Sequence, residues 1–209
     1  MVNRYKKRTD IKIVRTSKIV EGISETIKVL NLIQTDDDII IAVDKVATLC
    51  INAIQSGHKV IFIGNGGSAA DAQHLAAEFV SRFSFDRPGL PAIALTTDTS
   101  VITSIGNDYG YDVLFKRQIE AIGNAGDILI AISTSGRSKN ILTGLKAARE
   151  KGLSTVGFTS TKGFEMAPLC DCSVNVPATT TANIQEAHIT LGHIICGLVE
   201  QELFGRECL

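Results

Sequence analysis

Five short apolar runs recur between residues 59 and 176, at 59–63, 91–96, 127–132, 154–158 and 172–176, and helix-like stretches at 69–83, 111–122 and 138–151 lie between several of them. The first run, Lys59-Val60-Ile61-Phe62-Ile63, is β-branched and aromatic and bounded by glycine. The runs are continuous rather than alternating, as strands are when helices cover both faces of their sheet. That pattern predicts an α/β sandwich built on a parallel sheet.

Two amphipathic helices precede the sheet. Ile19, Ile23, Ile27 and Leu30 share one helical face from Lys18 onward, and Ile39, Val43, Val46, Cys50 and Ile54 repeat the pattern after Thr35 and Asp36, with a stop near Gly57. A last long helix is expected over 182–203. Residues 1 to 16 lack periodicity and read as an N-terminal arm, and 17–209 as one domain that includes the helical hairpin. A chain of 209 residues is long enough to bury a substantial core as that single unit.

With 44% hydrophobic residues, 21% charged residues and a formal charge of −1, nothing global points to nucleic acid. The longest apolar runs, such as Ile189 to Val199, are interrupted by Gly and His and fall short of the roughly 20 residues that cross a bilayer. Arg4, Lys6, Lys7 and Arg8 are not followed by the apolar block of a signal peptide. A cytoplasmic protein is expected. Five cysteines (Cys50, Cys170, Cys172, Cys196, Cys208) are an odd number without zinc-finger spacing, which suits free thiols in a reducing compartment. Cys170-Asp171-Cys172 alone is a weak metal signal.

Two strand-to-helix junctions have unusual chemistry: Gly64-Asn65-Gly66-Gly67-Ser68 after the first strand, and Ser133-Thr134-Ser135-Gly136-Arg137-Ser138 after the third. Both fall at the carboxyl ends of parallel strands, where open α/β sheets bind ligands. Glycines allow close backbone approach, hydroxyls donate hydrogen bonds, and free N–H groups at the following helix start favour an anion. The serine-rich loop therefore reads as a phosphate cradle, against the plainer reading of a tight turn with an N-cap. A dinucleotide site at the first loop is disfavoured, because the pattern is not G-x-G-x-x-G and no acidic residue ends the next strand.

Three of the chain's four histidines fall in two distant helical segments. His74 and Glu78, four residues apart, project from one helix face within reach of a common ion, and imidazole with carboxylate suits zinc or another borderline divalent metal. On the last helix Gln185 and His193 are separated by about 80° of rotation, while His188 lies about 60° to the other side of Gln185. Spacing does not choose between the two histidines. Satisfied core histidines with Glu78 on a solvated face are the alternative, and the set as a whole, beside two anion loops, favours function.

The string GNGGSAADAQHLAAEF, the later IGNDYG (Ile105 to Gly110), the AISTSGRS segment (Ala131 to Ser138) and the NIQEAHITLGHI helix (Asn183 to Ile194) resemble the phosphoheptose isomerases of the sugar isomerase (SIS) domain superfamily. The likeness runs from about residue 20 to 204 in consistent order. It implies a three-layer, flavodoxin-like α/β/α sandwich with a five-stranded parallel sheet, assembled as a homotetramer with active sites between subunits. It implies an aldose-ketose isomerase that converts sedoheptulose 7-phosphate to D-glycero-D-manno-heptose 7-phosphate, the first step of bacterial heptose synthesis for surface polysaccharide such as lipopolysaccharide. One zinc ion per subunit is then expected on His74, Glu78, Gln185 and His193, leaving His188 to packing or support.

The resemblance carries substrate contacts to Asn65, Gly66, Gly67, Glu78, Asn107, Asp108, Ser133, Thr134, Ser135, Ser138 and Gln185, with Arg82 a further polar candidate. Ala182 stands where some members have an acidic residue, so no catalytic carboxylate is expected there. For the proton transfer between C1 and C2, Glu78 is the expected base and His193 the acid. Two alternatives come from the same superfamily: a non-enzymatic protein that binds the replication initiator, and an isomerase of another sugar phosphate. The presence of both Glu78 and His193 argues against the first.

Overall fold

The computed structural model describes residues 2–205, with side chains described from Arg15 onward. Cys208 and the side chains of the N-terminal basic cluster lie outside that range. In chain order the elements are α1 (Val2–Gln34), α2 (Asp37–Gln55), β1 (Val60–Gly64), α3 (Gly67–Val80), β2 (Ala92–Ala94), α4 (Thr99–Asp108), α5 (Leu114–Ile122), β3 (Ile128–Ile132), α6 (Lys139–Glu150), β4 (Ser154–Ser160), β5 (Cys172–Val176) and α7 (Thr181–Phe204). Short 3-10 turns occupy Tyr111–Val113 and Ala167–Leu169.

The five strands form one parallel sheet in the order β2-β1-β3-β4-β5. In β1 and β3 every residue is buried, because each strand has helices on both faces. Val60 and Phe62 join Ile128, Ile130 and Ile132 in a core under α2, α3 and α7, while Ile61 and Ile63 join Leu129 and Ala131 in a second core under α4, α5 and α6. Period-two alternation of strand side chains thus builds the two interfaces of an α/β/α sandwich. At the edge, β5 alternates: Cys172, Val174 and Val176 are buried, whereas Asn175 is exposed. The expectation of continuous apolar runs does not hold there, since an edge strand has less of its outer face covered.

Two boundaries differ from expectation. Helix α1 starts at Val2 rather than near Lys18, so the backbone of the anticipated arm is helical. No glycine or proline precedes Gly22, so nothing in the backbone chemistry stops a helix there even without an apolar stripe. Helix α4 was not anticipated; Asp98 caps it, accepting from the Val101 amide at 3.0 Å. Helix α2 starts as anticipated, with the Asp36 carboxylate accepting from the Asp38 and Ile39 amides. It carries Cys50, whose thiol burial pushes up to about 12, a packing group rather than a nucleophile.

Candidate active site

The strand order reverses between β1 and β3, because β2 lies to one side of β1 and β3, β4 and β5 to the other. The crevice at such a switch point, beyond the carboxyl ends of the strands, is where open α/β sheets hold ligands. The two loops singled out by their composition leave the sheet from those two strands.

In the first loop Gly64 is required by close packing: a Cβ there would stand 2.3 Å from the Ser68 carbonyl oxygen. Gly66 takes a positive φ of 57° and caps α3 without a side chain, which leaves amides at the start of that helix free for a ligand. Asn65 is held in a reciprocal pair with the buried Asn140 at the start of α6, each amide donating to the other's oxygen at 2.9 Å. Tyr111 also donates to Asn65 Oδ1 at 2.9 Å. These contacts tie the two loops together and aim Asn65.

In the second loop the Ser133 hydroxyl accepts from the Gly136 amide at 3.2 Å and lies 3.4 Å from Ser138 Oγ. Ser135 Oγ accepts from the Arg137 amide at 3.3 Å. Gly136 adopts a φ of 62°, and a Cβ on it would stand 2.5 Å from Gly163 Cα. Ser138 caps α6 without a side-chain bond, so its hydroxyl and the first amides of a twelve-residue helix are available to an anion.

The metal-type residues meet between α3 and α7. His74 Nε2 and His193 Nε2 are 2.8 Å apart, and His74 Nε2 is 3.3 Å from Glu78 Oε1. All three donor atoms lie within 4.8 Å of one another. Donors about 2.0–2.1 Å from a tetrahedral zinc ion stand roughly 3.3 Å apart, so two imidazoles and a carboxylate at these separations fit such an ion. The Gln185 amide packs at the first loop: a Cβ on Gly67 would come within 2.4 Å of its Nε2. His188, which spacing left open, points into the core, 1% exposed, with Nε2 3.0 Å from the Thr159 carbonyl oxygen and its ring edge-on to Phe158. Burial lowers its pKa from 6.5 to about 4, so it is a neutral packing group.

Several residues that bear on the site were not singled out from sequence. Asp71, one turn before His74, has a buried carboxylate oxygen without a hydrogen-bond partner; burial raises its pKa, and the charges of His74 and His193 pull the other way. Its i, i+3 spacing to His74 was the available signal. Asn140 and Tyr111 had none, because only the folded loops bring them to Asn65. Conversely, Asn107 and Asp108 are exposed at the end of α4 and hydrogen-bond to each other at 2.7 Å, and Arg82 is exposed beyond the end of α3. Within one protomer Tyr111, just beyond that segment, hydrogen-bonds to Asn65 of the first loop, and Asp112 pairs with Lys139 at the start of α6.

Comparison with known proteins gives a consistent picture. The SIS domain family profile matches residues 19–160. A phosphoheptose isomerase of Burkholderia pseudomallei (strain 1710b) is 56% identical over 189 residues, 90% of this chain and 96% of that protein. Another from Aneurinibacillus thermoaerophilus is 54% identical over 89% of this chain and 94% of its own length. The solved phosphoheptose isomerase of Neisseria gonorrhoeae superposes with a TM-score of 0.83 at 38% identity, covering 89% of this chain and 98% of that one. The Francisella tularensis structure gives 0.85 at 34% identity, over 88% and 97%.

Proposed function

The chain belongs to the SIS domain family and, within it, to the phosphoheptose isomerases, and we infer from that membership that it interconverts sedoheptulose 7-phosphate and D-glycero-D-manno-heptose 7-phosphate. The observation that carries the reading is the convergence of His74, Glu78 and His193 from helices more than a hundred residues apart, beside two anion loops.

In this reading the phosphate lies on the Ser133, Thr134, Ser135 and Ser138 loop, whose hydroxyls and helix-start amides are arranged for an anion. That remote contact holds the sugar in register at the reacting carbons. Asn65, aimed by Asn140 and Tyr111, and the backbone of Gly66 and Gly67 face the sugar, with Gln185 beside them. Glu78 takes the proton from one of C1 and C2 and returns it to the other, while His193 exchanges a proton with the oxygens, so an enediol links ketose and aldose. His74, Glu78 and His193, joined by Gln185, would hold one zinc ion per subunit. Bound there, zinc would act as a Lewis acid on the sugar oxygens. Asn107 and Asp108, exposed on one protomer, reach substrate in this reading only within the assembly.

Exposed apolar side chains flank the site and line α1: Val80, Ile194 and Leu198 near the histidines, and Ile19, Ile23 and Ile27 on the first helix. Such surface supports a homotetramer with active sites between subunits. A cytoplasmic setting, supplying heptose for lipopolysaccharide or another surface glycan, suits a biosynthetic enzyme in which no described helix is long and apolar enough to cross a membrane.

The test is to incubate the purified protein with sedoheptulose 7-phosphate and follow the heptose 7-phosphate by proton NMR, before and after chelation and zinc return. Turnover that is lost on chelation and restored by zinc is expected. Absence of turnover in zinc-loaded protein would overturn the assignment.

A further inference from the structure

Beneath the reacting groups lies a buried ion pair that the isomerisation does not use. Arg87 Nε sits 3.1 Å from Glu200 Oε1, with the two side chains only 2% and 1% exposed. Arg87 comes from the loop after α3, and Glu200 from the last turns of α7. The pair therefore bridges the helix of His74 and Glu78 and the helix of His193.

Its other contacts are directed at the site. The last carbonyls of a helix lack intrahelical partners, and Arg87 serves two of them in α3: Nη2 donates to the Glu78 carbonyl at 2.7 Å and Nη1 to that of Phe79 at 2.6 Å. Nη1 also reaches the Ser81 carbonyl at 3.1 Å and that of Pro88 at 3.0 Å. Glu200 in turn accepts from the Phe83 amide at 2.8 Å and the Ser84 amide at 2.6 Å. The Phe83 ring then packs against the His193 imidazole, centroids 5.8 Å apart. Gly197 makes room for it, since a Cβ there would stand 3.2 Å from Phe83 Cε1. His193 and Glu200 are seven residues apart on α7, so they share a face two turns apart.

Burial opposes the Glu200 charge, but the Phe83 and Ser84 amides and the Arg87 guanidinium outweigh it and hold its carboxyl below the usual range. An ion pair taken out of water gives weak net stability compared with apolar residues of similar volume. Its geometric consequence is larger: one end grips the Glu78 backbone and the other grips the residue whose ring abuts His193.

We propose that Arg87 and Glu200, with Phe83 between them, are positioning residues that set the His193 ring and the Glu78 turn against each other, a role that rests on the proposed function above. Hydrogen-bonded partners of metal-binding histidines fix ring orientation, and their loss typically weakens metal binding about 10–100-fold; the Phe83 ring restricts the same rotation of His193 by packing.

The test uses Phe83→Leu, which removes the ring and leaves the pair, and the double variant Arg87→Met with Glu200→Met, which removes both charges without stranding one. Each is measured for zinc affinity by competition, for kcat and KM separately, for melting temperature, and for the nuclear Overhauser contact between residue 83 and the His193 ring in metal-free protein. Phe83→Leu should melt near the wild-type temperature, bind zinc about 10-fold more weakly or worse, and lose kcat with little change in KM. The double variant should lose the Phe83–His193 contact and show the same kinetic signature. Folded variants with wild-type zinc affinity and kcat would overturn the proposal, as would a double variant that keeps the ring contact. A wild-type protein that neither takes zinc nor turns over would instead overturn the proposed function, while the ring contact, read without metal, would still decide whether the clamp orients His193.

Discussion

At the scale of single residues, environment separates side chains that composition treats alike. His74, His188 and His193 are one residue type on two helices, yet the first and last meet at the surface, Nε2 to Nε2 at 2.8 Å, while His188 is enclosed. Sequence could place Gln185, His188 and His193 on one helix but not say which ring turned inward, because the angular offsets were similar and the deciding contact, Thr159, comes from a different strand. Replacing Glu78 by Gln keeps the side chain's shape and removes the base, so turnover should fall about 10²–10⁴-fold with little change in melting temperature. Solvent deuterium exchange at the substrate's C1 and C2 reads this directly, and retained exchange would remove Glu78 from the role. His188 gives a second prediction. Its folded pKa is depressed to about 4, so an unfolded chain takes up its proton below about 6.5 while the folded protein does not. The stability it contributes is complete above 6.5 and is lost as pH falls toward 4, by roughly 3 kcal/mol at full extent. Urea denaturation at stepped pH should show that slope in the wild type and a flatter one in His188→Gln. A parallel slope in the variant would assign the acid sensitivity to other groups, such as Glu200, whose contribution fades at lower pH as its carboxylate is protonated.

At the scale of elements, the strands were legible because burial on both faces leaves them few chemical choices; every anticipated run overlaps an observed strand, with β1 and β4 running one and two residues further. Helix α4 was not legible, since Thr99-Ser100-Val101-Ile102-Thr103 is rich in β-branched and hydroxyl residues, and its helicity comes from the Asp98 cap and packing on α5. The glycines of the first loop were legible as a tight strand-to-helix turn, but their separate duties were not. Those duties make opposite predictions. A methyl on Gly64 meets backbone, the Ser68 carbonyl oxygen, so Gly64→Ala should cost about 1–3 kcal/mol of stability or more, measured by denaturation. A methyl on Gly67, at the first turn of α3, meets the far end of the Gln185 side chain first. Gly67→Ala should leave the melting temperature equal or higher, as alanine favours helix over glycine by about 0.5–1 kcal/mol. It should nevertheless displace the Gln185 amide and weaken zinc affinity or turnover. A fully active Gly67→Ala enzyme would show that Gln185 need not stay where it packs.

At the scale of the whole molecule, the first helix is the part least explained by the protomer itself. Among its described side chains the buried ones are Val29 and Ile33, at the C-terminal end, and a polar link joins Thr26 to Asn183 and Glu186 on α7. Of the apolar face read from sequence, Leu30 packs against the core, whereas Ile19, Ile23 and Ile27 are 53–63% exposed. A helix turns an isoleucine row outward when another surface covers it, and a second copy of the chain is the partner that the proposed tetramer supplies. The pattern was visible in the sequence, but a single chain cannot say whether an apolar face meets its own core or a neighbour's. Ile23→Glu with Ile27→Glu places charges on that row without touching the core, so the protomer should stay folded by circular dichroism while sedimentation velocity shifts to smaller species. If the sites lie between subunits, activity should fall with the assembled fraction and recover at higher protein concentration. Dissociated protein with undiminished turnover would confine the site to one protomer, and an undissociated variant would show that α1 is not the contact.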